Sequence, residues 1–276
     1  MSKILACLDG SAVSAAVCDF AAWAGTALDA PLTLLHVLDH RRFPRPGQAT
    51  SPLLVNREQL LTELAALDAQ RGTLAEDQGR LLLDAAQLRV EEQQARCAGA
   101  VLQHGDLMSS LESLQEDFDL IVLGRQGEDS PPKRLIGRHL ESAIRLLHRP
   151  LLVAGHLFVK PSGVLLAYDD SSSARKAVTW VANCRLFDGL ACHLVTVGRD
   201  REERRAALTR AQPNLGRRAA RSPPPSPTAT WNWAWSAIAS NTAWSWWSWA
   251  PSATPACATS SWAATPATCW KRPAVR

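Results

Sequence analysis

Asp119-Leu120-Ile121-Val122-Leu123-Gly124-Arg125-Gln126-Gly127, with Gly137 closing the pattern G-x2-G-x9-G, is the stretch that decides the fold. Its near-unbroken apolar run is too short for an ordinary helix and reads as a strand buried on both faces of a parallel sheet. The glycines begin where that strand ends. The last of them opens a helical pattern, Gly137 to Leu147, in which Leu140, Ile144 and Leu147 share a face and which Pro150 terminates before a further strand, Leu151 to Ala154. Such a loop can hold phosphate, because glycines let the backbone approach an anion and the free N–H groups and dipole of a helix start favour negative charge. A plain strand-to-helix connection can carry the same glycines, so the loop has to be weighed with its surroundings.

The same alternation recurs towards the N-terminus. Lys3 to Leu8 is a short apolar run, Asp9-Gly10-Ser11 a turn, and Val13 to Leu28 an Ala-rich helix. Leu32 to Leu38 is a second strand, and Arg41 to Pro52, with Pro44, Pro46, Gly47 and Pro52, a surface loop. In the long segment Arg57 to Arg96, Leu60, Leu64 and Leu67, and further on Leu74, Leu81 and Leu88, are expected to form its apolar face. Ala100 to Gln103 is a third strand, and Asp106 caps a helix running to about Asp117. The order βαβαβαβαβ predicts an α/β domain whose parallel strands are joined by right-handed crossovers, with ligands at the carboxyl ends of the strands.

The pattern then restarts. Val164-Leu165-Leu166-Ala167-Tyr168-Asp169 repeats Ile4-Leu5-Ala6-Cys7-Leu8-Asp9, and His193-Leu194-Val195-Thr196-Val197 repeats Thr33-Leu34-Leu35-His36-Val37, both displaced by 160 residues. Two matches at one offset indicate duplication. The expected organisation is a complete domain over 1–156, a linker over 157–163, the N-terminal part of a second domain over 164–212, and a tail over 213–276.

The glycine loop, the Asp9-Gly10-Ser11 turn after the first strand and His36-Val37 at the end of the second together resemble the universal stress protein (UspA) family, in its tandem-domain form. The resemblance covers Ser2 to about His156 and resumes from about Pro161 to Gln212. It implies a Rossmann-like, adenine nucleotide alpha hydrolase-like fold, a five-stranded parallel sheet in the order 3-2-1-4-5. It also implies ATP or a related adenine nucleotide, with Mg, at the strand ends: adenosine near Asp9 and the backbone of Val37, phosphates over Gly124, Gly127 and Gly137. One position departs from the pattern. Where the family's nucleotide binders carry Ser or Thr after the last glycine, this chain has Arg138, followed by His139; the guanidinium either supplies charge to a phosphate or fills the site. For Asp9 the plainer alternative is that its carboxylate caps the following helix, and His36 and His193 fit satisfied core histidines better than catalytic bases.

Composition excludes several classes. The formal net charge of +4 belongs to the C-terminal part, since from Arg199 onward eleven Lys and Arg face three Asp and Glu, leaving nineteen against twenty-three before it. The well-patterned part is therefore slightly acidic, which argues against nucleic acid as a partner. The seven Cys show no C-x-x-C and no paired spacing, so neither a disulfide framework nor a zinc site is expected. No apolar run of about 18 residues predicts a membrane span, and a cytoplasmic location is expected. There is no G-x4-G-K-[ST] and no nucleophile with a base and an orienting group, so the function expected is a regulatory binder, with at most slow ATP hydrolysis, that self-associates through its domains. A dimerisation or interaction scaffold of the same family, without nucleotide, is the alternative.

The tail has a different character. Nine of the eleven Trp lie after Thr230, among Ala, Ser, Thr and Pro, with no helical or strand period. An Arg/Trp segment could stack on single-stranded nucleic acid or lie on a membrane surface. A second reading explains the composition itself: the tail is translated out of frame. Trp is TGG and Ala is GCN, so stepping back one nucleotide turns each Trp-Ala pair into a codon pair ending in Gly. Trp246-Trp247-Ser248-Trp249-Ala250 becomes [LMV]-V-[VE]-[LMV]-G, and Trp262-Ala263 supplies a second glycine thirteen codons on. That is the separation of Gly124 and Gly137. As written, the tail is expected to be largely unordered.

Overall fold

The computed structural model describes residues 2–39, 57–127, 136–196, 202–218 and 247–248. The chain falls into two compact units, Met1–Phe158 and Val159–Arg276. In the first, β1 (Ile4–Leu8), α1 (Ser14–Leu28), β2 (Leu32–Leu38), α2 (Arg57–Glu92), β3 (Cys97–His104), α3 (Leu107–Leu114), β4 (Leu120–Gly124), α4 (Arg138–Leu146) and β5 (Leu151–Ala154) follow one another. The five strands are parallel and lie in the order 3-2-1-4-5, as the resemblance implied. Register is in step along the centre: Ile4 pairs with Leu32 on one side and with Leu120 on the other.

Every residue of β1 is buried, as expected of a strand covered on both faces. Leu5 and Cys7 join Leu35, Leu111, Phe118, Ile121, Leu123, Leu140, Ala143 and Leu147 in a core beneath α3 and α4. Ile4, Ala6 and Leu8 alternate to the other face, the one covered by α1 and α2. Asp106 caps α3 as predicted, its carboxylate accepting from the Ser109 N–H at 3.1 Å. The third strand is longer than expected, because Cys97–Gly99 and His104 also pair with β2.

The apolar face predicted for α2 is not the one that packs. Leu64, Leu67, Leu74, Leu81 and Leu88 are exposed, whereas Ala75, Gly79, Leu83, Ala86 and Val90 are buried. The reason lies in how closely the helix approaches the sheet. A Cβ at Gly79 would stand 2.8 Å from Leu102 Cδ1 and 3.0 Å from His36 Cδ2, so small residues rather than leucines fit beneath it. Higher up, the Arg89 guanidinium clasps the buried Asp19 of α1, Nε to Oδ1 at 2.7 Å and Nη2 to Oδ2 at 2.8 Å, and Gln93 Nε2 donates to the same carboxylate. This ties α2 to α1 by a bidentate, charge-assisted contact.

The second unit begins as a copy. β6 (Gly163–Ala167), α5 (Ser172–Asn183), β7 (Ala191–Val195) and α6 (Glu202–Ala211) follow in order, and β6 and β7 form a two-stranded parallel sheet. Ser171 caps α5, its hydroxyl accepting from the Ala174 N–H. Val197, expected to correspond to Val37, lies outside the described residues, as does nearly all of the tail from 219 onward.

Candidate functional site

In the order 3-2-1-4-5 the chain leaves β1 towards β2 and later enters β4 on the opposite side of β1, so the connections after β1 and β4 diverge and leave a crevice at the carboxyl ends of those two strands. Asp9, the first residue past β1, organises the turn there. Its Oδ1 accepts from the Ser11 N–H at 3.0 Å and from the Ser14 hydroxyl at 3.1 Å, and Ser14 Oγ in turn accepts from the Gly10 N–H at 3.1 Å. Gly10 stands at φ +78°, a left-handed conformation that a side chain would strain. The carboxylate does not cap α1 directly: the first turn begins at Val13, without a side-chain cap.

On the other wall, β4 ends at Gly124, where a Cβ would stand 3.2 Å from Val13 Cγ1 and 3.3 Å from the Gln126 carbonyl. Arg125 then fixes the path of the loop. Its N–H donates to the Ala154 carbonyl of β5 at 2.8 Å, and its own carbonyl accepts from the Gly137 N–H at 2.9 Å. The glycine that opens α4 is thereby held beside the glycines that close β4, although eleven residues separate Arg125 from Gly137 in sequence. Gly127 meets Asp9: a Cβ on it would lie 2.7 Å from Asp9 Oδ2. Residues 128–135, between Gly127 and the helix, lie outside the described residues.

Gly137 is extended and buried, and no side chain caps the helix behind it. The first-turn amides of α4 are of the kind that lack intrahelical partners. Arg138 and His139 follow on that turn with exposed side chains. Val37 is half-buried and lies one residue past His36, the last residue of β2 paired with β1, so β2 overhangs β1 at this point. His36 is a structural histidine. Its Nδ1 lies 2.7 Å from the Leu8 carbonyl, which accepts from it in the Nδ1–H tautomer.

The structure therefore brings Asp9 against Gly127, and Gly137 to the root of the Gly124 loop. It sets Val37 at the end of the neighbouring strand and Arg138 and His139 on the helix behind. Two participants escape a reading by motif. Ser14 locks the Asp9 carboxylate, and only a hydroxyl five residues beyond an Asp hints at it. Arg125 carries a buried Nε without a hydrogen-bond partner among the described residues; an arginine between two loop glycines is its only signal. Cys7, next to the site on β1, has its thiol pushed well above the ordinary range by burial, so thiolate chemistry is not available there. Among the described residues no group of three or more His, Cys, Asp and Glu is arranged to hold a metal, and no helix is long and apolar enough to cross a membrane.

The second unit repeats the turn. Asp169 Oδ1 accepts from the Ser171 N–H at 3.0 Å, as Asp9 does from Ser11, and Asp170 stands at φ +64° where the first copy has Gly10. A non-glycine residue in that conformation is held by its partners. Tyr168 Oη and the Arg175 guanidinium donate to Asp170 Oδ1 at 2.8 and 3.0 Å, and Arg210 donates to Oδ2 at 3.2 Å. The Tyr168 hydroxyl, then the two guanidinium groups, hold the Asp170 carboxyl below its ordinary pKa.

Comparison with known proteins points to one family. Universal stress protein Slr1230 of Synechocystis sp. (strain ATCC 27184 / PCC 6803 / Kazusa) is 30% identical over 210 residues, 75% of this chain and 73% of that protein. That span is longer than the first unit, Met1–Phe158, so the similarity runs on into the second. Among solved structures, a universal stress protein from Archaeoglobus fulgidus DSM 4304 is 17% identical, covering 78% of this chain and 73% of that one with a TM-score of 0.49. A universal stress protein in complex with cAMP is 18% identical over 56% of this chain and 97% of that one, with a TM-score of 0.39. Residues 1–155 match the Universal stress protein family as a whole, and the chain belongs to that family.

Proposed function

We propose that the first domain, residues 1–156, is a regulatory binder of ATP or a related adenine nucleotide, acting in a cytoplasmic stress response through interactions that the bound nucleotide biases. The observation that carries this reading is the convergence of the glycine loop on the end of β1: Gly127 stands so close to Asp9 that a Cβ on it would lie 2.7 Å from Oδ2, and the Gly137 N–H is tied to the Arg125 carbonyl at the root of the same loop. In this reading adenosine lies near Asp9 and the Val37 backbone, and the phosphates lie over Gly124, Gly127 and the α4 start at Gly137, with Mg carried in by the phosphates. Arg138 adds positive charge at that helix start, with His139 beside it. The reading is of a binder with at most slow hydrolysis, since the sequence carries no nucleophile with a base and an orienting group.

The test is nucleotide analysis of natively purified protein, followed by calorimetric titration with ATP-Mg, ADP, AMP and cAMP. Binding should weaken at least tenfold in Gly127→Val and less in Arg138→Ala. The absence both of co-purifying nucleotide and of thermal protection by any of the four would sink the idea. It would leave the scaffold reading, which the replacement of Ser or Thr by Arg138 favours.

The tail from 213 onward is read as out of frame. Sequencing the coding region tests this directly: a single-nucleotide slip near the codons for 213–245 restores the pattern, and an unbroken frame in independent isolates defeats it.

A further inference from the structure

Helix α2, 36 residues and about 54 Å long, carries two faces of different period. The buried face, Ala75, Gly79, Leu83, Ala86 and Val90, follows the helix's own 3.6-residue turn onto the sheet. On the side turned away from it, Leu67, Leu74, Leu81 and Leu88 recur at strict intervals of seven and are 51, 67, 69 and 63% exposed. Leu60 continues the spacing in sequence. A leucine at every seventh residue over the three intervals from Leu67 to Leu88 keeps the heptad period of a two-stranded coiled coil, in which slight underwinding keeps one seam against a partner helix. Neither the crevice nor the fold of the domain uses it.

We infer that this seam pairs with the same seam of a second copy of the chain. A row of leucines at period seven is complementary to itself under a two-fold axis, so a single surface serves both partners. The flanking charges set the direction. Each of Leu74, Leu81 and Leu88 is followed three residues later by an acid, Asp77, Asp84 and Glu91, which forms one acidic edge. The other edge, one residue after each leucine, carries Asp68, Ala75, Leu82 and Arg89, the last of these already clasped to Asp19. Parallel pairing sets the acidic edge of one helix against this mixed edge of its partner, whereas antiparallel pairing sets acid against acid. The positions four after Leu67, Leu74 and Leu81 are Arg71, Gln78 and Ala85. These make a narrow, partly polar seam that fixes register at a cost in affinity. The inference does not depend on nucleotide binding.

Sedimentation equilibrium of the full-length chain tests it, with the double substitution Leu74→Glu, Leu81→Glu. Both side chains are exposed, so the variant should keep the far-UV circular dichroism of the wild type, and its melting temperature at concentrations low enough for both to be monomeric. The wild type should sediment with twice the chain mass at high concentration, and the variant with the chain mass, its association weakened at least tenfold. Gln78→Cys should also cross-link to its own counterpart on mild oxidation, while Arg80→Cys, on another side of the helix, should not. A wild type that stays monomeric, or a variant that associates as strongly as the wild type, overturns the inference and moves any self-association to another surface.

Discussion

Gly127 stands so close to Asp9 that a Cβ built on it would lie 2.7 Å from Asp9 Oδ2, well inside van der Waals contact. The other oxygen of that carboxylate is already held by the Ser11 N–H and the Ser14 hydroxyl, at 3.0 and 3.1 Å. The side chain therefore cannot swing away cheaply. The turn after β1 and the loop after β4 are fitted to one another at the point where the crevice opens.

Gly127→Ala should accordingly destabilise the first unit by ~1–3 kcal/mol, the usual cost of overpacking a filled site. The double substitution Gly127→Ala, Asp9→Ala should cost less than the sum of the two singles, because it removes the clash. Urea unfolding of the four proteins measures this. Additivity within about 0.3 kcal/mol would show that the two residues do not meet.

Much of this was legible in advance, and the misses have physical causes. The strand cores, the Asp106 cap and the glycine loop are local signals, and strand order followed once their combination was seen to resemble a family. The packing face of α2 was not legible. Leucines at 74, 81 and 88 outweigh Ala75, Gly79 and Ala86 in hydrophobicity, yet close approach to His36 and Leu102 selects the small residues. The role of Ser14 was equally hidden, because a hydroxyl inside a helix carries no motif. The left-handed turn at Asp170 could be anticipated only by aligning it with Gly10, and its ion partner Arg210 lies forty residues away.

The clasp between α1 and α2 predicts an asymmetry. Arg89→Ala leaves the Asp19 carboxylate, 9% exposed, in the interior with Gln93 still donating to it, and should cost ~2 kcal/mol. Asp19→Ala leaves an arginine whose side chain is already 46% exposed and can turn to water, so it should cost only ~1 kcal/mol. Equal losses in denaturant unfolding would mean that the contact is a surface pair rather than a tether.

Thiol reactivity should rank with burial. Burial is the main reason that the Cys18 thiol is pushed up to about 11, with the neighbouring Asp19 carboxylate adding to it, and burial alone raises Cys7 further still. At pH 8 a thiol with that value is only about 0.1% thiolate, against roughly a quarter for a free cysteine. Timed labelling of native protein, read by peptide mass spectrometry, should modify the half-buried Cys184 well before Cys7 and Cys18, which should react only on unfolding. Early modification of Cys7 would contradict the packing of β1.

His193 gives the second unit a pH dependence whose sign is fixed. Burial on β7 lowers its pKa in the folded state, while the unfolded chain keeps the ordinary value of about 6.5. Above that value both states are neutral and the residue has no effect. As pH falls through about 6.5 the unfolded chain takes up the proton first, so stability declines on the acid side and is regained as pH rises. Titration of the imidazole Cε1–H resonance, assigned with His193→Gln, should give a midpoint below about 6.5, and that variant should lose part of the acid sensitivity of the second unit. A midpoint above the ordinary value would instead place a carboxylate beside the ring, and the acid-side loss would then disappear.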